Sequence, residues 1–488
     1  MTNFLALDLG AESGRAILAT LAGDKLTLNE VHRFSNGTVQ LPDGIHWDVL
    51  RLWSEIKTGI ALAVKQGIKL DGIGLDTWGV DFALLDKNNA LLANPFHYRD
   101  ARTDGMVDEA FKRMSRAEIF ANTGIQFMQI NTLYQLLSMS TQKSPILDIA
   151  QTYVAIPDLF NYWLSGEIAN EFTHATTTQG LDPRIRDWAT PVLNAMDIPT
   201  HLFKPVTAPG TRLGTLLKPL AEETGAGGVR IVVPACHDTG SAVAAVPAQS
   251  NDFAWISSGT WSIMGVETHE PCLTEKGLAY NFTNEGGVFD TWRLSKSLVG
   301  LWLVQECKRI WAHQGADLSY GDITRLATDA KPFVAVIDLD DPRFLYPGDM
   351  PERIQKYCAE TNQAVPETKG EIVRVALESL ALKYREVLQQ VEELTGKHFE
   401  PIHIIGGGTK NKLLNQFTAD CIERVVVTGP VEATAIGNVL MQAYGLGHLN
   451  SLADLRSVVR ASYAPETYQP GNRDRWAEAY AILQKVKR

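Results

Sequence analysis

Cysteine is scarce and scattered. Cys236, Cys272, Cys307, Cys358 and Cys421 are odd in number and never form a C-x-x-C pair. That excludes a disulfide framework and a zinc site built on paired cysteines, and it suits the reduced thiols of a cytoplasmic protein. No run of about 18 apolar residues occurs, so no membrane span is expected. The N-terminus, Met1 to Asp8, lacks a basic stretch followed by a long apolar one, and it reads as a strand, not a signal peptide. Basic residues are also in deficit. Lys and Arg number 45 against 56 Asp and Glu, a net charge of −11, and no basic stripe stands out. A nucleic-acid binder, which must neutralise phosphates, is excluded. Familiar nucleotide and hydrolase signatures are missing too. The only Gly-Lys pair, Gly396-Lys397, has no glycine at 391 and is followed by His398, so there is no Walker A loop. No G-x-G-x-x-G follows a strand, and neither H-E-x-x-H nor G-x-S-x-G is present.

What is present is a long globular chain. Its 488 residues, 45% of them hydrophobic and 21% charged, exceed one ordinary core and suggest two domains of roughly 200–250 residues. The opening segment, 4–10, is apolar and runs through a Gly-bearing turn into a second apolar segment, 16–21, the pattern of a β-hairpin. A third strand is expected at 27–34, a helix at 53–66, and a strand at 72–76 with 79–86 as its hairpin return. Residues 105–200 read as mostly helical. A strand at 229–233 leads through Pro234-Ala235-Cys236-His237-Asp238 into a helix of small residues stopped by Pro247.

After a turn-rich link at 247–252, a second strand–turn–strand, 253–265, begins close to half the chain length after the first. It reads as the start of a second half built on the same plan. The second half also carries one long helix, 371–395. Its apolar residues Val373, Ala376, Leu380, Tyr384, Val387, Val391 and Leu394 fall three or four apart, and Gly396 follows as a stop. A strand at 402–405, the turn Gly406-Gly407-Gly408, a helix, a strand and a further helix then indicate a mixed or parallel sheet covered by helices.

Four motifs carry candidate chemistry, each with a plainer reading. In Asp8-Leu9-Gly10-Ala11-Glu12-Ser13-Gly14-Arg15, two glycines and a serine let backbone N–H groups converge on an anion, and Asp8 is a candidate for magnesium through water. An ordinary hairpin would look the same, and the charge of Glu12 suits phosphate only if it faces solvent. Ser257-Ser258-Gly259-Thr260 is a second turn of the same kind. In His237-Asp238-Thr239, Asp238 stands where a helix N-cap is common or where a general base would meet a substrate hydroxyl. Phosphoryl transfer passes through a loose transition state, so such a base need only orient the hydroxyl and take its proton late. His237 is then a substrate partner or a structural histidine. Gly406-Gly407-Gly408 offers a flat backbone surface for an adenine ring ahead of a helix N-terminus, though many βα turns are glycine-rich.

Together these residues resemble the FGGY carbohydrate kinases, of the superfamily that includes actin and the heat-shock ATPases. The resemblance covers nearly the whole chain. It rests on LDLGAESGRA from Leu7, GLDTWGVDFALLD from Gly74, YRDART from Tyr98, NTLYQL from Asn131, IPDLFNYWLSG from Ile156 and NEFTHATTTQ from Asn170. It continues with ACHDTGSAV from Ala235, ISSGTWSIMG from Ile256, NFTNEGG from Asn281, GLWLVQE from Gly300, IIGGGTKNKLLNQ from Ile404 and GPVEATAIGN from Gly429. Within the family these stretches are similar to those of members acting on L-rhamnulose.

The resemblance implies an α/β fold of two ribonuclease-H-like domains around a central cleft, divided as 1–246, with the sugar and a phosphate hairpin, and 247–488, with the nucleotide. It implies ATP with Mg²⁺ as donor and the C1 hydroxyl of L-rhamnulose as acceptor, a step of L-rhamnose catabolism. The family's proton acceptor falls on Asp238. Its sugar contacts fall on Gly79, His237, Asp238 and Thr239, and on Ser297 where the family usually has Asn. Its nucleotide contacts fall on Ala11, Glu12, Ser13, Gly14, Arg15, Thr260, Gln305 and Gly407. The shorter Ser297 leaves space for a water and bears on which ketose is preferred; L-fuculose and xylulose are the alternatives. A non-catalytic ATP-binding relative is a rival of another class, and an exported sugar-binding protein would need a signal that is absent. The partners expected are a small ketose and ATP, with no nucleic acid and no membrane, for a cytoplasmic monomer or small homo-oligomer.

Overall fold

The computed structural model describes residues 1–471 and 473–487. The chain divides into two compact units. The first combines Met1–Pro247, Glu267–Leu294 and Ala433–Ala464; the second combines Ala248–Val266, Ser295–Glu432 and the chain from Pro465 onward.

In the first unit a six-stranded sheet runs in the order Arg212–Thr215, Arg230–Val232, Gly72–Thr77, Thr2–Leu9, Ser13–Ala22, Lys25–Ser35. Thr2–Leu9 and Ser13–Ala22 form the expected antiparallel hairpin. Gly72–Thr77 pairs parallel with Thr2–Leu9, and Arg230–Val232 parallel with Gly72–Thr77. Thr2–Leu9 is buried along most of its length, as a central strand covered on both faces must be. Helix Val49–Lys65, capped by Asp48, covers one face. Its Val49, Leu52, Ile56, Ile60 and Ala63 recur three or four apart and are buried against Leu5, Leu7 and Ile73 of the sheet.

The hairpin return expected at 79–86 is not made with Gly72–Thr77. Phe82–Leu85 pairs instead with Thr152–Ala155, a strand inside the region read as helical. The reason is Asp81. It is fully buried, and its Oδ2 accepts from the indoles of Trp47 at 2.6 Å and Trp78 at 2.9 Å while Oδ1 accepts from Gln135 Nε2 at 2.9 Å. Before it, Val80 is left-handed at φ 68°, an uncommon state for a β-branched residue that costs about 1–3 kcal/mol. Val80 is held there from both sides. Its N–H donates to Thr177 Oγ1 at 3.1 Å, and its carbonyl accepts from Thr132 Oγ1 at 2.5 Å. The chain therefore swings away from the first sheet after Gly79.

Helix Ala433–Gly445 closes the unit. It lies against helix Asp238–Ala244 and the strands Thr2–Leu9 and Gly72–Thr77. Gly437 makes this approach feasible, since a Cβ there would sit 1.8 Å from the carbonyl oxygen of Ser241.

The second unit repeats the plan. Its sheet is seven-stranded, in the order Thr283–Gly286, Trp292–Val299, Trp261–Thr268, Ala254–Ser258, Ile402–Ile405, Val426–Thr428 and Thr467–Tyr468, with residues 283–294 counted in the first unit. Ala254–Ser258 and Trp261–Thr268 form an antiparallel hairpin, and Ile402–Ile405 and Val426–Thr428 add in parallel. The long helix spans Lys369–Thr395, opened by a Thr368/Glu371 capping box and closed by Gly396 at φ 66°. Among the described residues no helix is long and apolar enough to cross a membrane.

Two substitutions test these supports. Asp81→Asn turns an amide donor against indole and amide donors. It should cost on the order of 2–4 kcal/mol and lower Tm by about 5 °C or more in a thermal unfolding scan. Gly437→Ala should cost about 1–3 kcal/mol by overpacking, read as a lower urea midpoint with an unchanged slope.

Candidate active site

In the first unit the site forms at the C-terminal ends of the parallel strands, where such sheets place their loops. The register sets Asp8 beside Asp76 and Leu9 beside Thr77. Thr77 in turn bridges to His237, with Thr77 N–H donating to the Cys236 carbonyl at 2.9 Å. Asp8, Asp76 and the His237-Asp238 turn thus stand on three adjacent chain segments.

The turn after Asp8 is tight. Gly10 N–H donates to Ser13 O at 3.0 Å, and Asn36 secures the loop through Gly10 O and Glu12 O. Gly14 has no room for a side chain, because a Cβ would lie 2.3 Å from the Phe34 ring. Glu12 is exposed, and Ala11, Ser13 and Arg15 are half-buried. Arg15 Nη2 ion-pairs with Asp8 Oδ2 at 2.5 Å.

Asp238 begins helix Asp238–Ala244, and His237 takes the N-cap position. The capping role open to Asp238 from the sequence is not the one it takes. Its Oδ1 accepts from Thr239 N and Thr239 Oγ1, at 2.5 and 3.1 Å. Oδ2 makes no hydrogen bond among the described residues, and the side chain is 30% exposed. His237 Nε2 lies 3.4 Å from Asp238 Oδ1. A Cβ built on Gly79 would lie 3.3 Å from the same Nε2. Gly79, His237, Asp238 and Thr239 are therefore brought together.

Buried carboxylates fix this turn. Glu171 accepts from Thr173 N and His174 N, and its Oε2 takes the Cys236 N–H at 3.0 Å. Thr173 Oγ1, itself bonded to Glu171, accepts the His237 N–H at 3.2 Å. Burial pushes the Glu171 carboxyl up, against these hydrogen bonds. Asp76 is fully buried. Its Oδ2 accepts from Asn438 Nδ2 at 2.6 Å, while Oδ1 has no partner. Burial, then the charge of Asp8, raise its pKa well above the usual carboxylate value. Behind His237, Glu285 is held down near 2: burial works to raise it, but the Arg293 guanidinium, the strongest opposing influence, keeps it low.

In the second unit Thr260 lies in the turn of the second hairpin, Gln305 on a helix bonded to that turn, and Gly407 between two glycines that face Ser258 of the same hairpin. The carbonyls of Gly259 and Thr260 accept from Leu301 N and Trp302 N, both at 3.0 Å, joining the turn to helix Trp302–His313, which carries Gln305. Gln305 Oε1 is buried without a hydrogen-bond partner. Gly408 is pressed on Ser258, with a Cβ position 2.0 Å from Ser258 Oγ, whereas nothing lies within 4 Å of a Cβ on Gly407. Gly407 is thus an open glycine, and Gln305 carries an unpartnered acceptor. Ser297 lies half-buried in strand Trp292–Val299.

Sequence reasoning left Asp76, Glu171, Glu285, Arg293 and Asn438 without a role. Asp76 had a signal: Leu7-Asp8 and Leu75-Asp76 are the same dipeptide near the ends of two strands. The others take their roles from partners that lie far along the chain.

Two family models match the chain. That of the N-terminal domain of the FGGY family of carbohydrate kinases matches residues 3–245, and that of the C-terminal domain matches residues 254–446. A protein named rhamnulokinase from Bacteroides thetaiotaomicron is 42% identical over 486 residues, 100% of this chain and 99% of that one. Another from Bacillus subtilis is 37% identical, over 99% of this chain and 98% of its own. Among solved structures, a xylulose kinase from Rhodospirillum rubrum superposes with a TM-score of 0.81 at 16% identity, covering 99% and 98% of the two chains. A Plasmodium falciparum glycerol kinase with ADP gives 0.80 at 15% identity, covering 100% and 97%. With a hairpin, a parallel pair and a glycine turn repeated in both halves, and family models matched across both, the chain belongs to the FGGY family of carbohydrate kinases.

Proposed function

We propose that this chain transfers the γ-phosphoryl group of ATP to the C1 hydroxyl of L-rhamnulose, yielding L-rhamnulose 1-phosphate and ADP. The observation that carries the chemistry is the open Oδ2 of Asp238 beside His237 and Gly79. The substrate rests on the full-length relatives named rhamnulokinase.

In this reading Asp238 receives the hydroxyl proton as the bond to phosphorus forms, while Thr239 orients the carboxylate through Oδ1. Gly79, His237, Thr239 and Ser297 bind the sugar. Ala11 to Arg15, Thr260, Gln305 and Gly407 bind the nucleotide, with residues 1–246 serving chiefly the sugar and 247–488 chiefly ATP. Among the described residues no group of three His, Cys, Asp or Glu side chains is arranged to hold a metal ion. Magnesium, which keeps most of its waters and shares phosphate oxygens, needs only one or two carboxylates. Asp8 in register with the orphaned Oδ1 of Asp76 fits that demand, and the ion would neutralise charge on the phosphates. The protein acts in the cytoplasm, as a monomer or small homo-oligomer.

Asp238→Asn should lower kcat by about 10²–10⁴-fold and leave ATP affinity, measured calorimetrically, within about twofold. Unchanged turnover would remove Asp238 from the base role. In a coupled assay across L-rhamnulose, L-fuculose and xylulose, kcat/KM should be highest for L-rhamnulose by about tenfold or more. A better rate with another ketose would reassign the substrate and keep the reaction.

A further inference from the structure

Behind His237 lies an ion pair that the proposed reaction does not use. Arg293, in strand Trp292–Val299, is fully buried. Its Nε donates to Gly286 O at 2.9 Å, and its Nη2 lies 3.0 Å from Glu285 Oε2 and 3.0 Å from His237 Nδ1. Glu285 Oε2 also approaches His237 Nδ1 to 3.2 Å.

Two partners thus compete for one ring nitrogen, and they demand opposite things of it. A carboxylate only accepts, so pairing with Glu285 requires a proton on Nδ1. A guanidinium only donates and stays protonated at every working pH, so pairing with Arg293 requires a lone pair on Nδ1. Geometry decides between them. The Arg293 N–H is aligned on Nδ1 as a hydrogen bond, whereas Glu285 Oε2 makes no hydrogen bond of acceptable angle despite its proximity. With Nδ1 as acceptor, the proton of the neutral ring sits on Nε2. That is the nitrogen facing Asp238 Oδ1 and Gly79. Glu285 then compensates the buried guanidinium, which would otherwise be an unpaired charge. Among the described residues no other side chain offers His237 Nδ1 a donor; the neighbouring His174 turns its own Nε2 to the Trp78 carbonyl.

We propose that Arg293, neutralised by Glu285, is a positioning residue that holds His237 as its neutral Nε2–H tautomer, so that the imidazole meets the sugar as a hydrogen-bond donor beside Asp238 and not as a second base. The part concerning sugar rests on the function proposed above; the tautomer does not. A donor at Nε2 suits a hydroxyl or carbonyl oxygen of the ketose, and it leaves proton acceptance to Asp238 alone.

The test uses the full-length protein labelled with ¹⁵N-histidine, without ligand, near neutral pH. The His237 signals, assigned by their loss in His237→Gln, should show a proton-bearing Nε2 and a lone-pair Nδ1. Arg293→Met removes the donor and should move the proton to Nδ1 or give the imidazolium. It should raise KM for the ketose about tenfold while KM for ATP stays within about twofold, the split expected of a residue acting through a sugar contact. Arg293→Lys keeps a cationic donor and should retain the wild-type spectrum. A proton on Nδ1 in the wild type, or a spectrum unmoved by Arg293→Met, would overturn the proposal. Should Arg293→Met fail to fold, the wild-type and Arg293→Lys spectra decide alone. Absence of turnover with every ketose, alongside the expected wild-type spectrum, would sink the function and uphold the tautomer.

Discussion

The contact on which the first unit turns is one backbone touching another. Helix Ala433–Gly445 meets helix Asp238–Ala244 at Gly437, where the Ser241 carbonyl occupies the place of a side chain. The next residue, Asn438, reaches the other way and holds Asp76. One turn further, Gln442 donates to the Leu5 carbonyl of the central strand and to Asn438 itself. A single helix face therefore sets the distance between the segment carrying Asp238 and the strands carrying Asp8 and Asp76. Small residues on the Asp238 helix, Gly240, Ser241 and Ala242 among them, serve the same closeness.

The site is built from charges that the interior does not welcome. Asp76, Asp81, Glu171 and Arg293 are buried and Glu285 half-buried, and desolvation is the largest influence on every one. Apolar side chains would pack there at lower cost. What the charged groups supply is direction. Glu171 aims three backbone N–H groups and a hydroxyl, Asp81 aims two indoles and an amide, and each leaves the loop beside it a single conformation. Val80 can persist in its left-handed state only because the surroundings over-determine it.

Much of this frame was legible. Both hairpins, the strand ending at Asp76, the turn at His237-Asp238, the long helix with its glycine stop and the repetition of one plan in two halves all follow from local periodicity and turn chemistry. The glycines of the two hairpin turns were legible for the same reason. What escaped is non-local. Thr152, Tyr153 and Val154 are strand-forming residue types, but the strand is too short to stand out inside a region read as helical, and its partner, Phe82–Leu85, lies some distance up the chain. Nor does anything near Arg293 announce His237, and the partnership exists only after the strands are laid side by side. The capping role of Asp238 shows the converse: the residue type was right for an N-cap, but the helix begins one residue earlier than that role requires.

The composition of the first unit from three stretches of chain has a consequence for how it is made. Domains are commonly completed as they leave the ribosome, N-terminal portions first. Here the early strands emerge long before Ala433–Gly445, the helix that covers them. Until then Leu5, Gly72 and Gly74 lack the side chains of Asn438 and Gln442 that pack on them. The nascent chain must wait, with one sheet face uncovered, for nearly all the remaining translation to finish.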